Sequence, residues 1–189
     1  MSTHLGPWPN SGGASRLAGT PMTEIAHPAR MDIEALLADC HMRRVRRSGP
    51  GGQRRNKVET GVRLKHGPSG VEAEGSERRS SAENLKLATR RLRLLLAVQV
   101  RTEMAPAPSA LWKSRCRGGR VSISSEHVEF PALLSEAMDV LESHEWDPRA
   151  AGEWLGCTPS QLVKLLKRSV PAGEHLNRQR RERGLGRLR

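Results

Sequence analysis

Ser48-Gly49-Pro50-Gly51-Gly52-Gln53 is the stretch of this 189-residue chain whose residue types and order best suit chemistry. Adjacent glycines reach positive φ and let the backbone approach a substrate closely, while Gln53 offers both an amide side chain and a backbone N–H. The loop has no Ser-His-Asp set or carboxylate pair beside it in the sequence, so water is the expected nucleophile. A backbone N–H aimed at a developing oxyanion is then the main catalytic device, worth on the order of 3 kcal/mol. No metal or cofactor is expected. Cys40, Cys116 and Cys157 lack the Cys-x-x-Cys and His spacings of a zinc site, and Cys40-His41 would point to opposite faces of a strand.

Such a loop must be held by regular structure on both sides. Residues 40–47 read as a strand with Met42 and Val45 inward, and Val58, Thr60, Val62 and Leu64 alternate with Glu59, Gly61, Arg63 and Lys65 as a half-buried strand does. His66-Gly67-Pro68-Ser69-Gly70 is a turn, His66 serving the turn rather than acid–base chemistry. Residues 58–74 thus form a hairpin. Ser80 and Glu83 have capping-box spacing, and Leu85, Ala88, Leu92, Leu95 and Gln99 mark one face of a helix whose other face holds Lys86, Arg90, Arg91 and Arg93. A short helix over residues 32–38, with Ile33, Leu36 and Leu37 on one face, precedes the first strand.

The string GPGGQRRNKVETGVRLKHGPSG, continuing through Arg79-Ser80 and Asn84 into the basic helix, resembles the peptidyl-hydrolase domain of class I peptide chain release factors and their codon-independent rescue relatives. The resemblance covers about residues 38–101. It implies an α+β fold, a β-hairpin sheet packed on a long helix, and hydrolysis of the peptidyl-tRNA ester in the ribosomal peptidyl-transferase centre. Gly51 and Gly52 would set the loop conformation. The Gln53 N–H would stabilise the oxyanion while its side chain excludes nucleophiles other than water, and a glutamine methyltransferase is an implied partner. Asn56, Lys57 and Arg63 would support the loop or touch ribosomal RNA. Arg54 and Arg55 depart from the family, which has His and Val there, and Ser81 stands in place of Gln. Arg55 at the Val position is read as turned toward an rRNA phosphate, because a charge there is costly to bury.

The net charge of +12 points to a polyanionic partner, since Lys and Arg gain affinity for phosphate by releasing counterions. With no Tyr, one Phe and four Trp, aromatic stacking cannot be spread along an RNA-binding sheet, so the binding must lean on phosphate contacts. Residues 31–101 hold 16 basic and 8 acidic side chains, and residues 120–175 hold 5 basic and 9 acidic ones. Arg43, Arg46, Arg47, Arg54, Arg55, Asn56, Lys57, Arg63 and Arg79 are the candidate rRNA contacts. The resemblance to rescue hydrolases, whose basic tail binds in the empty mRNA channel, makes Arg178, Arg180, Arg181, Arg183, Arg187 and Arg189, in the basic segment 176–189, candidates for that role.

The expected organisation is a disordered lead-in over residues 1–30, the hydrolase domain over 31–101 and a linker over 102–119. An acidic helical domain over 120–175 and a basic tail over 176–189 complete it. In the acidic domain, helices begin near Phe130, at Asp147-Pro148 and at Thr158-Pro159, with Trp146, Trp154 and Leu155 in the core. Residues 149–167 have helix-turn-helix spacing, but the neutral Thr158-Pro159-Ser160-Gln161 start and the acidic balance argue against specific DNA binding. Forty-eight residues precede Gly49, fewer than the codon-reading region of the stop-codon-dependent members of the resembled family would need, so codon-independent action is the expectation. Together these features lead to the expectation of a monomeric, cytoplasmic rescue hydrolase acting on the ribosome, with no membrane attachment. A non-enzymatic rRNA-binding protein on a degenerate release-factor domain is the alternative.

Overall fold

The computed structural model describes residues 27–46 and 59–188. The fold is α+β. Strands β1 (Cys40–Val45), β2 (Gly61–His66) and β3 (Glu72–Gly75) form an antiparallel sheet in the order β1-β2-β3, preceded by a short helix α1 (Ile33–Ala38). Val62 pairs with Gly75 and Leu64 with Ala73, so the alternation turns Val62, Leu64 and Ala73 to the same face. Helix α2 (Ser81–Gln99) packs on that face through Ala88, Leu92 and Leu96, all buried. Its start follows the cap, with Ser80 Oγ accepting the Glu83 N–H at 3.4 Å.

Several details differ from the sequence expectation. Met42 and Val45 lie three residues apart on a strand and therefore point to opposite faces. Met42 is 59% exposed, because α2 covers β2 and β3 and leaves β1, at the far edge of the sheet, uncovered. Arg93, assigned to the solvent face of α2, is buried, with Nη1 donating to the Val128 carbonyl at 2.8 Å and Nη2 to Ala29 at 2.9 Å. Gln99 is exposed, and Leu96 takes the inward place. Ile33 likewise turns out to solvent while Leu36 is buried.

Residues 102–119, expected as a linker, hold a helix α3 (Ala110–Arg115), and 116–121 hold a hairpin of β4 (Cys116–Arg117) and β5 (Arg120–Val121). Gly118 and Gly119 have φ of 55° and 74°, the two positive values that a type I′ hairpin turn requires. Trp112 of α3 is buried, and its Nε1 donates to the Leu155 carbonyl at 2.7 Å. Helices α4 (Phe130–Ser143), α5 (Pro148–Leu155), α6 (Pro159–Lys167) and α7 (Val170–Glu182) complete the chain. Trp146 and Leu155 are buried as expected, and Trp154 is half-buried. No helix among the described residues is long and apolar enough to cross a membrane.

The apolar core runs without a break from Leu64 and Leu92 through Leu134 and Met138 to Leu166. Where α4 meets α2, the contact is also polar. Asp139, 3% exposed, accepts from Arg30 at 2.7 Å, from Arg101 at 2.9 Å and from the Thr102 hydroxyl at 2.7 Å. Residues 27–30, assigned to a disordered lead-in, belong to this junction. His27 and Ala29 are buried, and Pro28–Arg30 form a 3-10 turn.

His27 uses both ring nitrogens. Nδ1 accepts the Ala29 N–H at 3.0 Å, and Nε2 lies 3.0 Å from the Val100 carbonyl, to which the neutral ring donates. Burial pushes its pKa down to about 4, helped by the Arg30 and Arg101 charges and opposed by the Val100 carbonyl and Asp139. An unfolded histidine takes up its proton near pH 6.5, well before the folded one does. Stability is therefore fully present above that pH and is expected to drop by about 2 kcal/mol by pH 5. Urea unfolding on either side of this window checks it, and a His27→Gln protein should lack this part of the drop.

Candidate functional site at the base of the Gly-Gly-Gln segment

Gly51, Gly52 and Gln53, with Arg47, Arg54, Arg55, Asn56 and Lys57, lie outside the described residues. The structure does describe the base from which residues 47–58 depart and return. Val45 is paired with Gly61 at the end of the β1–β2 ladder, and just beyond it Arg46 Nε meets Glu59 Oε1 at 2.8 Å. The two ends of the segment are thus held side by side. Gly61 is required there, since a Cβ would lie 2.6 Å from Val45 Cγ2 and 2.7 Å from the Val45 carbonyl oxygen.

Asn84, fully buried at the start of α2, fixes the same base. Its Nδ2 donates to the carbonyls of Thr60, at 2.8 Å, and Arg78, at 2.9 Å, and its Oδ1 accepts the Arg78 N–H at 2.8 Å. One side chain therefore joins the entry to β2, the approach to α2 and the helix itself. Gly75 of β3 lets that helix come close, because a Cβ there would sit 2.3 Å from the Asn84 carbonyl oxygen. The Arg46–Glu59 tie and the bracing by Asn84 escape sequence reasoning. Asn84 stands among the motif residues, but its spacing says nothing about what it bonds.

The remaining candidate cations of this part divide. Arg43 stands directly opposite Arg63 across β1 and β2, and Arg63 opposite Glu74 across β2 and β3, on the sheet face away from α2. Glu74 accepts from Arg63 at 2.9 Å, leaving Arg43 at the basic end of the row. This pairing with Glu74 raises the Arg63 pKa further. Arg79 is exposed. His66 is buried, with Nδ1 2.7 Å from the Ser69 hydroxyl, a contact that closes its own turn.

The C-terminal arginines are also unequal. Arg178, Arg181, Arg183 and Arg187 are exposed, and Arg189 lies outside the described residues. Arg180 instead donates to the carbonyls of Trp146 and Gly186, both at 3.0 Å, so it is held by the fold. The chain folds back beyond α7, the Leu188 N–H reaching Asn177 Oδ1 at 2.9 Å.

A small antiparallel sheet backed by one long helix, with Arg46 and Glu59 joining the two sides of residues 47–58, is the α+β arrangement in which this site sits. The RF-1 domain family matches residues 29–127, and the chain belongs to that family, whose domain carries the Gly-Gly-Gln motif of class I release factors. Peptide chain release factor 1 of Acidiphilium cryptum is 36% identical over 125 residues, which are 66% of this chain and 36% of that protein. The protein of the same name from Chloroherpeton thalassium is 36% identical over 100 residues, covering 53% of this chain and 28% of that one. That of Erythrobacter litoralis is 26% identical over 158 residues, or 83% and 44%. The chain thus spans less than half the length of these relatives.

Proposed function

We propose that this protein hydrolyses the ester of peptidyl-tRNA on the ribosome, with the segment around Gln53 as its chemical centre. The observation that carries the reading is the base just described. Arg46–Glu59 and the Val45–Gly61 pairing hold together the two ends of a segment whose sequence resembles that of the RF-1 domain family, and Asn84 fixes its return end. Water attacks the ester carbonyl, the Gln53 N–H stabilises the oxyanion, and the tRNA 3′-hydroxyl leaves with a proton. The side chain of Gln53, a substrate for a glutamine methyltransferase, restricts the nucleophile to water. Ribosomal RNA is the partner of Arg43, Arg46, Arg47, Arg54, Arg55, Asn56, Lys57, Arg63 and Arg79.

The finer reading is codon-independent release from stalled ribosomes. It draws support from the exposed Arg178, Arg181, Arg183 and Arg187, which with Arg189 make a cationic end to the chain suited to an empty mRNA channel. Release of labelled peptide from ribosomes on an mRNA ending at the P site, compared with an intact message, tests both levels. Release only from the truncated complex is expected. Release confined to stop codons would overturn the rescue reading. Binding without release in either complex would favour the non-enzymatic alternative, to which Arg55 and Ser81 point.

A further inference from the structure

Residues 120–175 sum to an acidic segment, yet the fold directs much of that acid toward the rest of the chain. Asp139 is bound by Arg30 and Arg101, and Glu136 accepts from the Ser109 N–H at 2.7 Å and its hydroxyl at 2.6 Å. Glu129 pairs with Arg115 and Glu126 with Arg90. Each of these partners lies outside the segment, so a charge count by sequence window misjudges the surface that remains.

Elsewhere the same helices present a basic groove. Arg149, Lys164, Lys167 and Arg180 line an open cavity of about 530 Å³ between the start of α5, the outer side of α6 and Leu188. Ser160, Val163, Lys164 and Lys167 recur at i, i+3, i+4 and i+7, which places them on one face of α6. Arg149, Lys164 and Lys167 are exposed, while Arg180 is pre-oriented by the Trp146 and Gly186 carbonyls. The acid in the lining is Asp147, whose Oδ1 accepts the Arg149 N–H at 3.0 Å and caps α5. The floor is aliphatic, built from Pro148, Pro159 and Val163, and offers no ring for a base to stack on. Charge complementarity therefore selects a phosphate backbone, read without base specificity.

We propose that this groove binds the sugar–phosphate backbone of RNA, with Arg149, Lys164, Lys167 and Arg180 neutralising phosphates. This makes the helical module a second RNA contact, separate from the β1–β2 base. The choice of RNA as the polyanion rests on the ribosomal reading above. The neutral first turn of α6 is no obstacle, because the lysines stand one and two turns further along the helix.

Anisotropy of a labelled RNA hairpin of about 20 nucleotides, titrated with the full chain between about 50 and 200 mM salt, provides the test. An Arg149→Gln/Lys164→Gln/Lys167→Gln protein is expected to bind about tenfold or more weakly. Its slope of log K against log salt should be shallower by about 2 to 3, the loss of three phosphate contacts. The charge-preserving Arg149→Lys/Lys164→Arg/Lys167→Arg protein should bind as wild type does, which separates charge from folding. Unchanged affinity and slope in the glutamine protein overturn the proposal. So does weakened binding of a labelled oligoglutamate peptide with RNA binding intact, which would assign the groove to an acidic protein. The assay contains no ribosome, so a chain that binds RNA this way but releases no peptide overturns the hydrolase reading and leaves the groove standing.

Discussion

A Gln53→Pro protein is expected to release peptide roughly a hundred- to a thousand-fold more slowly than wild type, with ribosome association nearly unchanged. Proline has no backbone N–H, so the substitution deletes the donor assigned to the oxyanion and puts the ring Cδ methylene in its place. Gln53→Ala makes the useful comparison, because it removes the side chain and keeps the N–H. Its release rate should fall less, while peptide transfer to a small added nucleophile such as hydroxylamine should rise relative to hydrolysis. Single-turnover release at saturating protein measures the chemical step apart from binding. Equal rates for wild type and Gln53→Pro would remove the oxyanion role from this residue.

Asp139→Ala is expected to destabilise the fold by about 3–5 kcal/mol, since removing one member of a buried charged set leaves the others uncompensated. Two guanidiniums, on Arg30 and Arg101, lose their carboxylate together with the Thr102 hydroxyl. Arg101 is deeply placed, and burial already pulls its pKa down against the pull of Asp139. For a chain of this size the cost corresponds to a fall of about 6–20 °C in the unfolding midpoint. Thermal unfolding followed by circular dichroism checks it. A fall of only a degree or two would show that α4 is held on α2 by its apolar face alone.

Gln53 and Asp139 stand at opposite ends of what the sequence makes legible. The Gly-Gly-Gln segment, the hairpin and the capped helix are local patterns, written in neighbouring residues by turn chemistry, period-2 alternation and a cap at fixed spacing. The buried set at Asp139 joins residues 30, 101, 102 and 139, and no local pattern announces a contact over such separations. Arg93 misleads in the same way, because an arginine at a polar helical position reads as solvated until carbonyls from distant segments surround it. Gly118-Gly119 read in the sequence as linker residues. Positive φ suits a flexible chain and a tight hairpin equally, and only the pairing of Cys116 with Val121 decides between them.

By itself the sequence determined the α+β class, the hairpin and long helix, the family resemblance and the residues proposed to carry the chemistry. These depend on short-range sterics, hydrogen bonding and hydrophobic period, all of which act between near neighbours. Only the tertiary structure decided that Arg46 and Glu59 close the base of the Gly-Gly-Gln segment and that Asn84 braces it. It alone showed that Glu136 and Asp139 of the helical module face inward while Arg149, Lys164, Lys167 and Arg180 share a groove. Charge is additive along a sequence but acts through space, so its placement is settled only when the chain is packed.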